Sequence, residues 1–320
     1  MMADPISVLM TTYNCADYIS KAIKSILIQT YKDFEFLIVD DGSDDDTEKK
    51  VHIFNDNRIR YIKKEHEGLA ASLNYGLKIS KYDWVARMDA DDICHPQRLE
   101  KQISVLRKDE NFISCTWSAY FYNRGIRFTV KTPTDDGELK NKLALHCYIN
   151  HSSVIYNKNF ILLNGGYNTD LNVYEDYELW LRIKDVVMFE VIPEYLIFMR
   201  VTPQSLSRNN FNIRKKIILQ FQRKYYPLYD DLNTFTKTER LMLSGWREFF
   251  YGEGKKARGK FLKLKLGMLI YPRILIAFFL TFFPQKFIDY IIKNTIKYKI
   301  LYFIKYFNTD FRRVRIFLSQ

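Results

Sequence analysis

The first hundred residues alternate short apolar runs with segments of helical spacing, and this alternation limits the possible folds more than any other feature. Four apolar runs are typical of buried strands: 6–11, 34–40, 59–62 and 84–88. Three segments between them repeat apolar residues at helical spacing: 17–29, 45–55 and 68–80. This succession predicts an α/β fold, in which helices flank a mostly parallel sheet.

The pattern beyond residue 95 divides the chain into two parts. It predicts these elements: a helix at 96–108, a strand at 112–120, and helices at 135–146 and 174–186. From residue 210 onward the spacing is helical. Because 320 residues exceed the usual size of a single core, we expect an α/β domain over residues 1–208 and a helical C-terminal region over 209–320.

Charge is distributed unevenly along the sequence. Residues 255–320 contain 15 Lys and Arg against 2 Asp and Glu, whereas residues 1–254 contain 34 against 35. A neutral body is typical of a protein that binds a small ligand, and a basic tail favours an anionic surface, either membrane or nucleic acid. The apolar fraction of 47% excludes a disordered chain.

Targeting and metal-knuckle patterns are not visible. The four cysteines contain no CxxC pair, so neither a zinc knuckle nor a disulfide framework is indicated. Residues 1–5 lack the features of a secretory signal. The most apolar window, 274–283, is well short of the roughly 20 residues that span a bilayer. We therefore expect a cytoplasmic protein without a membrane-spanning helix.

Two acidic runs follow predicted strands. Asp89 and Asp91 follow the strand at 84–88, and a second run begins at Asp40 and Asp41. In an open α/β sheet the carboxyl ends of the strands form the edge that binds ligands. Two carboxylates one residue apart can hold Mg²⁺ or Mn²⁺ and leave positions for phosphate oxygens. The alternative is a solvated loop that caps the next helix, and the second acidic run favours the metal site.

Residues 11–14 complete this edge. Thr11, Thr12, Tyr13 and Asn14 offer hydroxyls, an aromatic ring and an amide, which suit a nucleoside whose base stacks on Tyr13. Taken alone, these residues are equally consistent with a turn and a helix cap. The sequence contains no G-x-G-x-x-G, Walker or G-x-S-x-G pattern, which disfavours dinucleotide binding, ATP hydrolysis and a serine nucleophile.

Four segments, in this order and spacing, resemble a family 2 glycosyltransferase of the Rossmann-like GT-A fold. They are SVLMTTYN from residue 7, FLIVDDGSDDDT from 36, GLAASLNYGL from 68, and ARMDADD with HPQRLEKQ from 86. The resemblance covers roughly residues 5–205. It implies inverting transfer of a hexose or N-acetylhexosamine from a nucleoside diphosphate donor, usually UDP-linked, to a glycan hydroxyl.

The resemblance also implies roles for single residues. The nucleotide-sugar site comprises Thr11, Thr12, Tyr13, Asn14, Asp40, Asp41, Arg87 and Asp89. Within it, Thr11, Tyr13 and Asp41 contact the uridine. Asp91 is the principal ligand of Mg²⁺ or Mn²⁺, and Asp89 supports it.

The run Tyr174-Glu175-Asp176 is similar to the acidic helix start of the family, whose second acid is the catalytic base. Here that residue is Asp176. An inverting displacement needs a carboxylate on the acceptor side to take the hydroxyl proton. The alternative is that Glu175, Asp176 and Glu178 only complement the helix dipole at its first turn.

The sequence departs from many relatives at Thr202, where a histidine is expected. If that histidine assists the metal or the diphosphate, then water, Arg200 or His151 takes its place here. His151 is otherwise expected to pack or cap near Ser152. The remaining histidines form no metal or triad spacing and are interpreted as structural: His52, His66, His95 and His146.

The basic tail interleaves Lys and Arg with Phe and Tyr at 255–265 and 301–317. Such helices lie in the headgroup layer of a membrane, where each basic residue contributes on the order of 1 kcal/mol. The alternatives are a solvated face of packed helices and nucleic-acid binding, for which no reading module is recognisable. We predict a peripheral protein on the cytoplasmic membrane face, attached through residues 255–320, with a lipid-linked glycan acceptor and no nucleic-acid partner.

Two other functions remain open. A nucleotide-sugar-binding homologue without turnover is disfavoured by the retained acids. A nucleotidyltransferase of related topology normally has a Gly-rich loop with Lys or Arg after its first strand, where this chain has residues 11–14.

Overall fold

The computed structural model describes residues 5–106, 109–122, 125–144, 146–201, 211–226, 237–250, 252–263 and 277–295. The strands are β1 (Ile6–Thr12), β2 (Phe34–Asp40), β3 (Ile59–Lys63), β4 (Trp84–Asp89), β5 (Ile93–Cys94), β6 (Phe112–Tyr122), β7 (Gly125–Val130), β8 (Ile155–Asn157) and β9 (Met188–Arg200). The helices of the first part are α1 (Ile19–Leu27), α2 (Thr47–His52), α3 (Leu69–Ile79), α4 (Arg98–Ile103), α5 (Asp136–Leu143), α6 (Lys158–Leu163) and α7 (Glu175–Ile183). Those of the second part are α8 (Phe211–Tyr225), α9 (Lys237–Phe250), α10 (Gly254–Phe261) and α11 (Gln285–Thr295).

One sheet, in the order β3-β2-β1-β4-β8-β6-β9-β5 with β7 beside β6, organises the first part of the chain. Strands β1 to β4 are mutually parallel, β6 pairs with β9 in parallel, and the remaining pairs are antiparallel. The chain moves outward from β1 to β3 and then returns to the other side of β1 as β4. This reversal opens a crevice at the carboxyl ends of β1 and β4, where open α/β sheets bind ligands.

The core explains why the parallel strands read as unbroken apolar runs. Every residue of β1 is buried, because helices cover both faces of a parallel sheet. Val8 and Met10 belong to one apolar cluster with Ile23 and Ile26 of α1. Full burial of each such side chain contributes roughly 1.5–3 kcal/mol. The α/β fold predicted from the sequence is confirmed.

Several predicted bounds change in the structure. The helix expected at 96–108 covers only Arg98–Ile103, and the helix expected at 45–55 covers only Thr47–His52. Strand β4 extends to Asp89, so the first acid of that run belongs to the strand. Helix α6 and the length of β9 were not predicted from the sequence.

The contacts of the chain separate two compact units. Among the described residues, the first unit holds the sheet, and the second holds α8 to α11 together with residues 140–144 and 146. Phe249, Ala257, Phe261, Ala277 and Ile288 form an apolar core in the second unit. The predicted domain boundary at 208, the departure at Thr202 and the basic stretch at 301–317 lie outside the described residues. Within the described part of the chain, we find no helix with the length and apolarity needed to cross a membrane.

Candidate active site

The loop after β1 is tied to the loop after β2 by hydrogen bonds. The backbone N–H of Asn14 donates to Ser43 Oγ at 2.9 Å, and that of Cys15 donates to Thr47 Oγ1 at 2.8 Å. The N–H of Asp44 donates to Asn14 Oδ1 at 3.0 Å. Asn14 has a φ of 47°, a left-handed conformation that asparagine tolerates better than most residues. The hydroxyls of the second loop therefore fix the path of the first.

Tyr13 lies in the loop directly after β1, and its side chain is 48% exposed. Its ring stacks on the ring of His66, with centroids 4.2 Å apart, and His66 Nδ1 lies 2.8 Å from Asp41 Oδ2. From the sequence, His66 was interpreted as a structural residue. Its position two residues before Gly68, where the third family-like segment begins, was the available signal.

Asp40 is buried, and protein donors occupy both of its carboxylate oxygens. Ser43 N–H donates to Oδ1 at 2.8 Å, and the Tyr61 hydroxyl donates to Oδ2 at 2.6 Å. The carboxylate therefore joins the loop after β2 to the neighbouring strand β3.

Asp41 is held even more tightly. Its carboxylate accepts hydrogen bonds from Ser72 Oγ at 2.6 Å, Lys64 Nζ at 2.9 Å and Gly68 N–H at 2.8 Å. Burial disfavours its charged form, but the bonds from Ser72 and Lys64 and from the backbone outweigh burial and lower the pKa of Asp41. Asp41 thus anchors the segment before α3, which contains His66.

Two hydroxyls at the end of β1 have a different environment. Thr11 Oγ1 and Thr12 Oγ1 are buried, and neither has a hydrogen-bond partner among the residues that the structure describes. Buried polar atoms nearly always have a partner. These hydroxyls lie at the sheet edge, where Thr11 is paired in register with Asp89 of β4.

Three carboxylates form a cluster at the end of β4. Oxygen atoms of Asp89, Asp91 and Asp92 all lie within 4.8 Å of one another. Burial, with the charge of Asp89 added, raises the pKa of Asp91 to about 6. Burial and the charges of Asp91 and Asp89 raise the pKa of Asp92 well above its ordinary value. Asp89 and Asp91 were predicted from the sequence as metal ligands, whereas Asp92 was not.

Ser152 connects this cluster to a buried cation. Its hydroxyl lies 2.6 Å from Asp92 Oδ2 and 2.9 Å from Asp89 Oδ2. The same oxygen accepts a hydrogen bond from Arg87 Nη1 at 3.1 Å, and Arg87 also forms an ion pair with Asp89. Burial lowers the pKa of Arg87, but Asp89 outweighs that effect and raises it. Arg87 therefore remains charged beside the cluster.

Arg200, at the end of β9, contacts the other side of the cluster. Its backbone N–H donates to Asp92 Oδ1 at 2.9 Å, and its Nε donates to the backbone oxygen of Asp91 at 2.9 Å. The guanidinium lies 4.8 Å from the centroid of Tyr18 and 4.6 Å from that of Phe121. Arg200, one of the alternatives to the missing histidine, is thus in contact with two of the three acids.

The acids at the start of α7 differ in their surroundings. Glu178 is paired with Arg182, whose Nε lies 3.1 Å from Glu178 Oε1. Burial raises the pKa of Asp176 to about 6, against the opposing influence of the Tyr177 N–H and then Arg87. Burial, followed by the charge of Asp176, raises the pKa of Glu175 to about 8. Glu178 therefore has an ion-pair partner, whereas Glu175, which is buried, and Asp176, which is partly exposed, have raised pKa values.

His151 was predicted to pack or cap near Ser152; it is buried, and its Nδ1 lies 3.7 Å from Glu175 Oε1. Its Nε2 lies 2.7 Å from the Tyr167 hydroxyl, which lies 2.9 Å from the Tyr156 hydroxyl. Burial, followed by the charge of Arg87, holds the pKa of His151 well below its ordinary value. The imidazole is therefore neutral at physiological pH.

The acidic cluster fits a divalent cation in its chemistry. Carboxylate oxygens are the hard ligands that Mg²⁺ and Mn²⁺ prefer. Three of them are crowded at one strand end, and the raised pKa values of Asp91 and Asp92 indicate that the protein compensates their negative charge incompletely.

The sequence of the chain is similar to those of known glycosyltransferases. Residues 7–164 match the family described as "Glycosyl transferase family 2". The O-antigen biosynthesis glycosyltransferase WbnJ of Escherichia coli is 31% identical over 74% of this chain and 93% of its own length. The UDP-Glc:alpha-D-GlcNAc-diphosphoundecaprenol beta-1,3-glucosyltransferase WfgD of Escherichia coli is 33% identical over 66% of this chain and 83% of its own.

A solved structure shows the same fold. S. aureus TarS 1-349 in complex with UDP-GlcNAc superposes with a TM-score of 0.59 at 17% identity, covering 86% of this chain and 79% of TarS. The GT-A fold predicted from the sequence is thereby confirmed.

Proposed function

Because the chain belongs to glycosyltransferase family 2, and is therefore a sugar transferase, we propose that it moves a hexose or N-acetylhexosamine from UDP to a glycan hydroxyl with inversion. One observation carries the proposal. The crowded acids after β4 and the acids that begin α7 approach the same short stretch of chain, because Ser152 Oγ contacts Asp89 and Asp92, and Nδ1 of the adjacent His151 lies 3.7 Å from Glu175 Oε1. An inverting transferase needs these two groups on opposite sides of the donor sugar.

The nucleoside is proposed to bind at the ends of β1 and β2. Thr11 and Thr12 offer buried hydroxyls, and Tyr13 with His66 offers a stacked aromatic surface. Asn14 belongs to the same loop. Uridine as the base is supported by two similar proteins: TarS, in complex with UDP-GlcNAc, and WfgD, a UDP-Glc transferase.

Asp40 and Asp41 were predicted to bind the nucleotide sugar, and we now assign them different roles. Asp41 borders the nucleoside by holding the segment that contains His66. Asp40 shapes the loop from beneath, because Ser43 and Tyr61 occupy its oxygens.

The metal is proposed to be Mg²⁺ or Mn²⁺, held by Asp91 as principal ligand with Asp89 and Asp92 beside it. When bound, such a cation supplies positive charge against the diphosphate as it departs. Ser152 is a positioning residue in this scheme, because its hydroxyl contacts Asp89 and Asp92 and accepts from Arg87. Arg87 adds a permanent positive charge on the donor side.

Asp176 is proposed as the general base. The Tyr177 N–H donates to its Oδ1 at 2.6 Å and orients the carboxylate. Above a pH of about 6 the carboxylate is ionised and takes the proton of the acceptor hydroxyl. The acceptor oxygen then forms a bond to the anomeric carbon, on the face opposite the diphosphate, while the bond from that carbon to the phosphate oxygen breaks. UDP leaves with the bonding electrons.

The acceptor is proposed to be a glycan on a lipid diphosphate, of the kind used in surface polysaccharide assembly. The names of WfgD and WbnJ, a diphosphoundecaprenol glucosyltransferase and an O-antigen glycosyltransferase, support this acceptor class. Such an acceptor lies at a membrane, so the basic residues of 255–320 are proposed to hold the protein on the anionic cytoplasmic face.

A donor screen tests the proposed function. UDP-Glc, UDP-Gal, UDP-GlcNAc and UDP-GalNAc are each incubated with the protein, Mn²⁺ and a lipid-diphosphate-linked N-acetylglucosamine, with GDP-mannose as the donor control. We expect turnover of one UDP-sugar and, by NMR, a product whose anomeric configuration is opposite to that of the donor. Retained configuration contradicts the mechanism, and turnover of GDP-mannose alone contradicts the uridine assignment.

A further inference from the structure

The second unit presents four half-exposed phenylalanines on one short stretch of chain. They are Phe279 (58% exposed), Phe282 (56%), Phe283 (50%) and Phe287 (42%), which together we call the aromatic face. A helical turn at 277–280, a tight turn ending at Pro284 and the first residues of α11 carry these side chains. Soluble proteins rarely expose clustered large apolar side chains unless the surface binds something.

The opposite side of this stretch is fixed in the core of the unit. Ala277 and Ile288 are buried in the apolar cluster with Phe249. The backbone N–H of Gly254, at the start of α10, donates to Gln285 Oε1 at 2.7 Å. A Cβ at Gly254 would lie only 2.6 Å from Ile288 Cδ1, so α10 and α11 pack closely here. The aromatic face is thus the outer side of a packed element.

The rings of the aromatic face form small groups with a cation at their edge. The rings of Phe283 and Phe287 have centroids 4.9 Å apart. The guanidinium of Arg258 lies 4.2 Å from the centroid of Phe282 and donates to the backbone oxygen of Thr281 at 2.7 Å. Arg258 therefore keeps a positive charge directly beside exposed aromatic rings.

The described chain beside the aromatic face is strongly basic. Residues 252–263 and 277–290 contain six basic side chains: Lys255, Lys256, Arg258, Lys260, Lys263 and Lys286. They contain two acids, and both are paired, Glu253 with Lys256 at 2.8 Å and Asp289 with Lys215 at 2.7 Å. The surface thus combines exposed aromatic rings with uncompensated positive charge.

We propose that the aromatic face inserts into the interfacial layer of an anionic bilayer, while the surrounding basic side chains contact lipid headgroups. Phenylalanine and Lys or Arg side by side are typical of surfaces that lie in this layer. A second copy of the chain fits less well, because a symmetric contact through this face would bring two surfaces of like charge together. The inference rests on the membrane location proposed above and adds apolar insertion, by named residues, to the attraction of charge.

Vesicle flotation of the full-length protein tests the inference. The vesicles are phosphatidylcholine with and without phosphatidylglycerol, at low and high salt. The test variant carries Phe282→Ser and Phe283→Ser. The matched control carries Ile53→Ser and Leu163→Ser, two exposed apolar side chains of the first unit. We expect the wild type and the control to float with anionic vesicles, and the test variant to partition at least about tenfold less.

High salt separates insertion from charge attraction, because it screens exposed charges and leaves apolar transfer intact. We expect the wild type to keep part of its binding in high salt and the test variant to lose the remainder. The inference is overturned if the variant floats like the wild type, or if the wild type binds neither vesicle. Self-association of the wild type in sedimentation, abolished in the variant, would mean that a second copy covers the face instead.

Release of the sugar from the donor in solution keeps this test independent of the proposed function. Equal rates of UDP-sugar hydrolysis by wild type and variant, together with equal helical circular dichroism, show that the variant is folded. If the variant does not fold, Phe279→Ser with Phe287→Ser replaces it. Flotation without turnover would contradict the transferase mechanism and leave the membrane inference standing. Turnover without flotation would contradict the membrane inference and leave the transferase mechanism standing.

Discussion

The acidic runs at 40–47 and 89–92 look alike in sequence and differ in structure. Both follow buried parallel strands at one edge of the sheet. In the first run, hydroxyl, ammonium and backbone donors surround Asp41 and lower its pKa. In the second, burial and the neighbouring charge of Asp89 raise the pKa of Asp91 to about 6.

We infer from this difference that some carboxylates hold the site together, whereas others are candidates to bind the metal or transfer a proton. Carboxylates that accept hydrogen bonds from several protein donors need no further partner. They hold the loop after β2 and the segment before α3. Acids that are crowded together lack compensation from the protein, and groups with such perturbed pKa values concentrate at functional sites. Asp91 and Asp92 belong to the second kind, and so do Glu175 and Asp176.

The largest expected effect comes from Asp176→Asn. Loss of the proposed general base should lower kcat by about 100- to 10,000-fold, while the affinity for UDP should be retained, because we propose that Asp176 faces the acceptor. Steady-state kinetics and calorimetry measure the two quantities. Asp185→Asn, an exposed acid beyond the far end of α7, is the matched control and should change neither. Unchanged kcat in Asp176→Asn, or loss of UDP affinity, would show that its role is misassigned.

Asp41→Asn tests the other side of the comparison. The amide cannot accept charge-assisted bonds from Ser72 and Lys64, so the free energy of unfolding should fall by about 1.5–3 kcal/mol. Urea denaturation at neutral pH measures the change. Asp44→Asn, an exposed acid of the same run, should change the stability by less than about 0.5 kcal/mol. Equal effects of the two substitutions would remove the distinction between matched and unmatched acids.

In metal-free protein, Asp91→Asn should raise the free energy of unfolding, whereas Asp41→Asn should lower it. The pKa of Asp91 is raised by folding from 3.8 to about 6, so the folded state binds more protons in this window. Its stability therefore falls as the pH rises from about 4 to 6. In EDTA at pH 7.5 the variant should be more stable than the wild type by on the order of 1–2 kcal/mol, and at pH 4 the difference should vanish. A less stable variant at pH 7.5 would contradict the crowding.

The smallest expected effect is in the pH dependence of the wild type. Because Asp176 must be ionised to accept a proton, kcat/KM should fall about tenfold per pH unit below its pKa of about 6. Asp185→Asn should show the same profile. A rate that is constant down to pH 4.5 would mean that a group with an ordinary carboxyl pKa, or none, acts as the base.

The sequence predicts the parallel half of the fold well, because period and burial agree there. Three of the four parallel strands (β1, β2 and β4) have covered faces and read as apolar runs, and the strand order places residues 11–14, 40–41 and 89–91 at one edge. The rest of the sheet, β5 to β9, gave weaker signals. Strand β9 pairs with β6 through two register shifts, and such irregular pairing leaves no regular alternation in the sequence.

The contacts within the site could not be predicted from the sequence, because they join residues from separate parts of the chain. Ser152 reaches Asp89 from 63 residues away, because the turn before β8 lies against the end of β4. Asp91 and Asp92 are adjacent in the chain, and only the folded backbone shows that Asp92 also points into the cluster. Nor does the sequence distinguish the matched Asp41 from the crowded Asp91, since the donors that match Asp41 come from α3 and the segment before it.

Calorimetric titration of UDP at pH 7.5, with and without Mn²⁺, tests the role of the crowded acids most directly. The wild type should bind UDP at least about tenfold more tightly with Mn²⁺, and Asp91→Ala should lose that gain while keeping the weak metal-free binding. UDP binding that is independent of Mn²⁺ and unchanged in Asp91→Ala would contradict the assignment of this cluster as the metal-diphosphate site.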